Sequence, residues 1–457
     1  MDEQPTHATT HLTPDPVAAA EATPQFEERP RRFRALALDL GPLRFSRDYR
    51  LLYAGQTVSF FGSMMTFVVL PWQVYQLTGS SFAVGMMGVV EFVPIFLSAF
   101  VGGALADYFD RRRMVLLAEL ALACGTGLLL LNSLAAQPRV WLLYVCAALF
   151  AALNGLQRPS LDALMPRLVP PEMIPAVSAL NSLRWNVGMI AGPAAGGLLL
   201  ASYGPATTYA VDFFSFAFSL AALWLMRAVP PPAGADRPSL RSVAEGLRYA
   251  RSRPELLGTY LIDINAMFFG MPMALFPAIA KGFGGSATLG LLYAAPAVGS
   301  LVASLTSGWT HRVRRHGLAV ALAAAAWGAA IVGFGLAGSV WPALACLALA
   351  GAADMVSGMF RMTIWNQTIP DHLRGRLAGI EMVSYTTGPL LGNAEAGAAA
   401  GLFGVRAAVV SGGLLCILGT GVLALLLPAF LRYDGRAGLA RKRAEEEARA
   451  QALGQAD

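Results

Sequence analysis

Gly103-Ala-Leu-Ala-Asp107-Tyr-Phe-Asp110-Arg111-Arg112-Arg113 separates two long apolar runs with hardly any room for a soluble loop. A junction this tight and this charged reads as a hairpin between two membrane helices, with the arginines holding the loop on the inner side. The rest of the chain agrees. Of its 457 residues 56% are apolar and only 14% charged, too few polar side chains to cover a soluble globule of this size. The expectation is an all-α, polytopic membrane protein.

A hydrocarbon core about 30 Å thick takes roughly 20 apolar residues per helix. Twelve such stretches lie near 49–77, 81–106, 113–134, 140–165, 174–201, 207–227, 256–280, 287–309, 317–338, 341–367, 376–400 and 405–431. The basic residues test this division independently. With both termini inside, thirty of the 34 Lys and Arg residues fall in inner segments. Three, Arg139, Lys281 and Arg406, fall in outer loops, and Arg184 lies within a helix. That asymmetry orients the chain, and it accounts for the sequence pI near 9.3 without a nucleic-acid partner. Cys124, Cys146, Cys346 and Cys416 sit inside apolar runs at no metal or redox spacing and read as packing residues.

Residues 1–46 read as a disordered cytoplasmic tail rather than a signal peptide. A polar, proline-rich segment, 229–255, divides the membrane part into six-helix halves, 47–228 and 256–431, with a C-terminal tail at 432–457. Within the divider, Leu240, Val243, Leu247 and Ala250 recur at helical spacing behind a capping Ser239. This predicts an amphipathic helix on the inner membrane surface, with a solvated linker as the alternative. The halves repeat faintly. Gly85–Asp107 aligns without gaps on Gly290–Arg312, and Asn154-Gly155-Leu-Gln-Arg158 on Ser357-Gly358-Met-Phe-Arg361. Parallel repeats of this kind place a substrate site between them at mid-membrane.

The 103–113 run resembles the signature of major facilitator superfamily transporters between their second and third helices: Gly, three residues, Asp, then a basic cluster. The resemblance implies twelve transmembrane helices in two six-helix pseudo-repeat bundles. It also implies a gating role for Gly103, Asp107, Arg111, Arg112 and Arg113, with Asp107 holding the second helix against the eleventh. Arg158 is the candidate partner of Asp107. Tyr108 replaces the usual basic residue and Asp110 stands where Gly is common; positive-inside anchoring is the alternative for the arginines.

In the fifth helix, Gly188, Gly192 and Gly196 form a stripe without side chains, and Pro193 permits a bend beside Gly197. The motif resembles the GxxxGPxxGG element of antiporters in the same superfamily, which implies export. Ser300, Ser304 and Gly308 offer a matching stripe on the eighth helix, so the fifth and eighth are expected to slide against each other. Leu275–Ala280, Gly290–Pro296, Leu70–Gln76 and Arg374-Gly375-Arg376 resemble the enterobactin exporter group, over roughly residues 45–430.

Ionisable residues inside helices cost about 2.5–3.5 kcal/mol each and mark cavities or partners. Glu91 and Asp354 lie nearest mid-membrane, and with Asp263 they are the candidates for taking a proton or a polar substrate group. Arg361, two turns from Asp354 on its face, is its candidate structural partner. Glu119, Asp212, Glu381 and Glu395 read as structural pairs or end residues. Phe60, Met64, Met65, Met267, Phe268 and Met273 suit a pocket for bulky amphipathic molecules, or face lipid.

The sequence offers no catalytic constellation, no metal-ligand set and no Walker phosphate loop, so neither an enzyme nor a cofactor is expected. The expectation is a monomeric, proton-coupled exporter of small amphipathic compounds in a bacterial inner membrane. Its partners would be a small-molecule substrate, protons and lipid. An uptake symporter and a non-transporting sensor on the same scaffold are the alternatives.

Overall fold

The computed structural model describes residues 38–108, 110–227 and 248–454. The amphipathic helix expected behind Ser239 lies outside the described residues up to position 247; 248–252 are helical. The membrane helices are α1 (Arg47–Thr78), α2 (Ser81–Tyr108), α3 (Arg111–Leu134), α4 (Val140–Leu164), α5 and α6 (within Ile174–Leu225), α7 (Pro254–Phe269), α8 (Ser286–Leu305), α9 (His316–Leu336), α10 (Val340–Thr368), α11 (Asp371–Phe403) and α12 (Val405–Leu426). A further helix, α13 (Gly435–Gly454), follows. Ten stretches of the described residues are long and apolar enough to cross a bilayer. One of them holds both α5 and α6, and the 33-residue α11 brings the helices to twelve.

Exposure is inverted relative to a soluble protein. Leu425 is 84% exposed and Trp341 78%, whereas Gln56, Glu119 and Asp212 are buried. Large apolar side chains outside and polar ones inside suit a lipid solvent, where each polar group must find its partner within the protein.

Local signals set the helix ends. Ser46 caps α1 by accepting the Tyr49 N–H at 3.1 Å, and Asp110 caps α3 by accepting the Arg112 N–H at 2.9 Å. The departure at Asp110 from the family pattern is therefore a helix cap. The α5–α6 and α11–α12 turns are each built on one glycine with positive φ, Gly204 at 78° and Gly404 at 87°. A side chain is strained in that region, and the two turns occupy equivalent places in the two halves.

Close approaches between helices repeat in the same way. A Cβ on Gly85 of α2 would stand 3.0 Å from the Gly397 Cα of α11, and one on Gly290 of α8 would stand 3.0 Å from the Gly197 Cα of α5. Gly85 and Gly290 are the residues that head the sequence repeat. Both lie in the first turns of their helices, so α2 meets α11 and α8 meets α5 at one end of the bundle.

The glycine stripe of α5 proves to be divided between two neighbours. Gly188 faces Phe60, Gly192 faces Met64 and Gly196 faces Met65, all on α1; only Gly197 turns to α8. The expected matching stripe on α8 is not the contact surface. Ser300 donates to the Gly351 carbonyl of α10 at 2.8 Å, and a Cβ on Gly308 would meet nothing within 4 Å. Gly308 lies past the end of α8 in the 3-10 turn Ser307–Arg312, and the close approach of α8 to α5 is made at Gly290.

The seventh span, expected to be continuous, is broken. α7 stops at Gly270 and, after a short 3-10 turn at Met273–Leu275, the chain resumes as helix Phe276–Phe283. Pro272 and Pro277 lack the N–H groups a continuous helix needs. The freed backbone is satisfied by side chains: Trp327 Nε1 donates to the Gly270 carbonyl at 3.0 Å, and Asn393 Oδ1 accepts the Ala274 N–H at 3.0 Å.

The C-terminal helix α13 packs on the end of α10 and is tied to the start of α7 by exchanged charges. Arg441 meets Glu255 at 3.1 Å, and Arg253 pairs with Glu445. The Tyr249 hydroxyl lies 3.1 Å from the Thr368 carbonyl and 3.2 Å from Glu445 Oε2. Burial pushes this phenol up to about 12, so it keeps the proton it donates.

Candidate functional site

The most charged position in the second half is Arg361. It is 11% exposed, and its guanidinium pairs with Asp263 of α7 and with Asp354 of its own helix at 3.5 Å. Asp354 and Arg361 are seven residues apart, two turns of helix, so both project from one face of α10. Asp263 reaches the same point from the tenth residue of α7. The ion cluster therefore joins the two helices. Asp263 is 6% exposed but Asp354 is 41% exposed, so one carboxylate anchors the arginine and the other stands open. Arg361 Nε is buried and, among the described residues, has no hydrogen-bond partner. A small cavity bounded by Asp263, Met267, Trp327, Asp354 and Ser357 adjoins the cluster.

Three of the sequence candidates thus converge, and Arg361 binds two carboxylates rather than the one expected. Glu91 does not join them. Among the described residues it makes no hydrogen bond or ion pair, and the Tyr293 phenol lies within its electrostatic reach.

The first half holds its acids differently. Glu119 of α3 and Asp212 of α6 are each 1% exposed, so neither is an end residue reaching for water. Gln56 Nε2 donates to Glu119 Oε1, joined by Gln157 Nε2 at 3.2 Å. The Thr66 hydroxyl donates to Asp212 Oδ2 at 2.5 Å and the Ser215 hydroxyl lies 3.2 Å from Oδ1. Among the described residues no cation forms an ion pair with either acid. Sequence reasoning missed Gln56, Thr66, Gln157 and Ser219 altogether. The available signal was the spacing of Gln56, Ser59, Thr66 and Gln73 along an otherwise apolar α1, which places four polar groups on one buried side.

At the 103–113 junction, Gly103 and Asp107 lie on α2, but their side chains are outside the described residues. Arg112 donates through Nε to the Leu223 carbonyl at 2.9 Å and through Nη2 to the Trp224 carbonyl at 2.8 Å. It thereby caps the last turn of α6, where the Leu223 carbonyl also accepts the Met226 N–H at 3.3 Å. Arg113 lies 3.8 Å from Asp110, one turn before it. Arg111 has partners beyond these. Arg158 stands 5.7 Å over the Trp185 ring of α5, and Arg184 sits 5.7 Å over Phe60 with a buried, unpartnered Nε.

Two repeated six-helix sets with charges buried between their helices are the fold of a transporter of the major facilitator kind. Solved transporters share the fold. The POT family transporter PepTSo superposes with a TM-score of 0.67 at 13% identity, over 85% of this chain and 99% of its own. A bacterial homologue of the iron transporter ferroportin, in an inward-facing state, superposes with 0.66 at 14% identity, over 85% and 99%. The chain belongs to the transmembrane secretion effector family of this superfamily, whose profile matches residues 37–451. It is 30% identical to the enterobactin exporter EntS of Escherichia coli (strain K12) over 401 residues, 87% of this chain and 95% of that one. The namesake of Shigella boydii serotype 18 is 31% identical over 400 residues, 86% and 95%. The protein is a multi-pass membrane transporter and not an enzyme.

Proposed function

We propose that the protein is a proton-coupled exporter of small amphipathic compounds, siderophore-like or drug-like, in a bacterial inner membrane. Both termini lie on the cytoplasmic side, and the protein works as a monomer. The observation that carries the reading is Arg361. A guanidinium with one buried, unpartnered donor, anchored by Asp263 and loosely held by Asp354, suits an acidic or phenolic oxygen of a substrate entering beside Ser357. The substrate oxygen would take the position that Asp354 holds at 3.5 Å. Return of the ionised Asp354 to the arginine would then expel the substrate. The likeness to enterobactin exporters favours outward transport of a siderophore-like compound.

The halves 47–228 and 256–431 are proposed to rock about the α2–α11 and α5–α8 approaches. Those glycine contacts lie at the end opposite the termini, consistent with a state open on the terminal side. Asp107 and Arg111–Arg113 are proposed to brace that side when it closes, and Glu91 is proposed as a second proton or substrate group on the cavity wall.

The test compares compounds secreted by a deletion strain with those of its parent, and the strain's tolerance to ethidium. The expected result is an intracellular build-up of a secreted acidic compound, or ethidium sensitivity, restored by the wild-type gene and not by Arg361→Gln. Lower cellular uptake of a labelled metabolite, with secretion unchanged, would favour the symporter instead.

A further inference from the structure

The buried polar groups of the first half form a line. α1 presents Gln56, Ser59, Thr66 and Gln73 to α3 and α6, and each of Gln56, Thr66 and Gln73 meets a polar partner there. Gln56 meets Glu119, with the Ser219 hydroxyl 3.5 Å away. Thr66 meets Asp212. The Gln73 amide donates to Ser133 at 3.0 Å and accepts the Tyr209 hydroxyl at 2.8 Å. From Gln56 to Gln73 the line runs about 25 Å along the helix axis at 1.5 Å per residue, against a hydrocarbon thickness of about 30 Å. Ser215 and Ser219, one turn apart on α6, link its lower and middle parts. A Cβ on Gly62 would stand 2.6 Å from Asp212 Oδ1, so α1 closes over the acid with no side chain between.

Two features distinguish this line from a packing seam. Among the described residues its acids are hydrogen-bonded by amides and hydroxyls and ion-paired to no cation, Arg184 reaching Glu119 only through space. In addition, among the described residues Glu119 Oε2 and Thr126 Oγ1 are buried without a hydrogen bond of good geometry, with the Ser59 and Ser219 hydroxyls beside Glu119 and Thr126 itself beside Asp212. Glu119 is 1% exposed and Thr126 0%. A buried carboxylate without a cation or full hydrogen bonding costs several kcal/mol, and such groups inside membranes mark proton relays. The ionisable groups within electrostatic reach are Arg184 and Asp212 for Glu119, and Glu119 and Tyr209 for Asp212. From α4 the neutral Gln157 donates to Glu119.

We infer that Glu119 and Asp212 are proton-exchange sites of a relay built into the first half, behind the wall of the substrate cavity. Glu119 takes its proton on Oε2, and Asp212 exchanges through the Thr66 and Ser215 hydroxyls. The inference rests on the proton-coupled reading above, and it places proton exchange apart from the substrate-gripping Arg361 cluster.

The test is pH-difference infrared spectroscopy of the full-length protein in lipid, following the C=O stretch of protonated carboxyl groups in wild type, Glu119→Gln, Asp212→Asn and the double variant. Each single variant is expected to lose one component and the double variant both. Asp354→Asn should leave these components in place, and Glu119→Asp should keep the first component at a shifted frequency. The amide bands report whether each variant is folded. In proteoliposomes, Glu119→Gln should lose pH-gradient-driven ethidium efflux while retaining downhill ethidium exchange, a separation that a purely structural defect would not produce. A carboxyl spectrum unchanged in the folded double variant would overturn the inference. Wild-type efflux indifferent to the pH gradient, with the carboxyl components present, would instead remove the coupled reading and leave the two groups as protonating sites.

Discussion

Arg158 and Arg361 stand at matching places in the two halves, yet they serve different ends. Arg158 is exposed and lies over the Trp185 ring; Arg361 is buried between two aspartates. The acids differ in the same sense. Glu119 and Asp212 in the first half are held by neutral amides and hydroxyls, whereas Asp263 and Asp354 in the second are held by a guanidinium. A repeated backbone therefore carries two solutions to the cost of buried charge. On the proposed function, the ion cluster of one half grips a polar substrate group and the acids of the other gain and lose a proton.

The comparison can be broken most forcefully at Asp263. Replacing it with Ala strips a buried arginine of its anchor and should cost about 3–5 kcal/mol, read as a lower unfolding temperature in detergent. A loss below about 1 kcal/mol would mean that the arginine is not held as the geometry indicates. In the first half, Thr66→Val removes one neutral donor from Asp212 and should cost about 1–3 kcal/mol. A loss as large as that of Asp263→Ala would erase the distinction between the two halves.

Where the halves agree, the expected effects agree. Gly85→Ala and Gly290→Ala each force a Cβ against the opposing backbone and should each cost about 1–3 kcal/mol, with transport slowed alike. Unequal effects on transport would show that only one of the two approaches acts as a pivot. The smallest effect is expected at the C-terminal helix. Arg441→Glu should cost no more than about 1 kcal/mol because Arg441 is half exposed, and adding Glu255→Arg should restore it. Failure of the second change to rescue the first would mean that the pair does not bind α13 to α7.

Much of the fold was legible because its determinants are local. Apolar length gave the helices, and the repeat headed by Gly85 and Gly290 marked the two residues that form equivalent contacts. The break in α7 was missed because Pro272 and Pro277 were absorbed into an apolar run; the side chains that make the break tolerable, Trp327 and Asn393, come from α9 and α11. The Asp354–Arg361 pair could be read from helical spacing, but the addition of Asp263 required the packing of α7 on α10. Glu119 and Asp212 were underestimated for a similar reason. Taken singly, each resembles an end residue or half of an ion pair, and only the facing polar side of α1 shows that both are buried among neutral donors.

Proton-driven export is the central claim. The direct measurement is efflux of enterobactin and of ethidium from proteoliposomes containing the full-length protein, with and without an imposed pH gradient. The expected result is transport of at least one compound, accelerated by a gradient that carries protons against it and abolished by a protonophore. Transport of the compounds at a rate indifferent to both gradient and protonophore would contradict it.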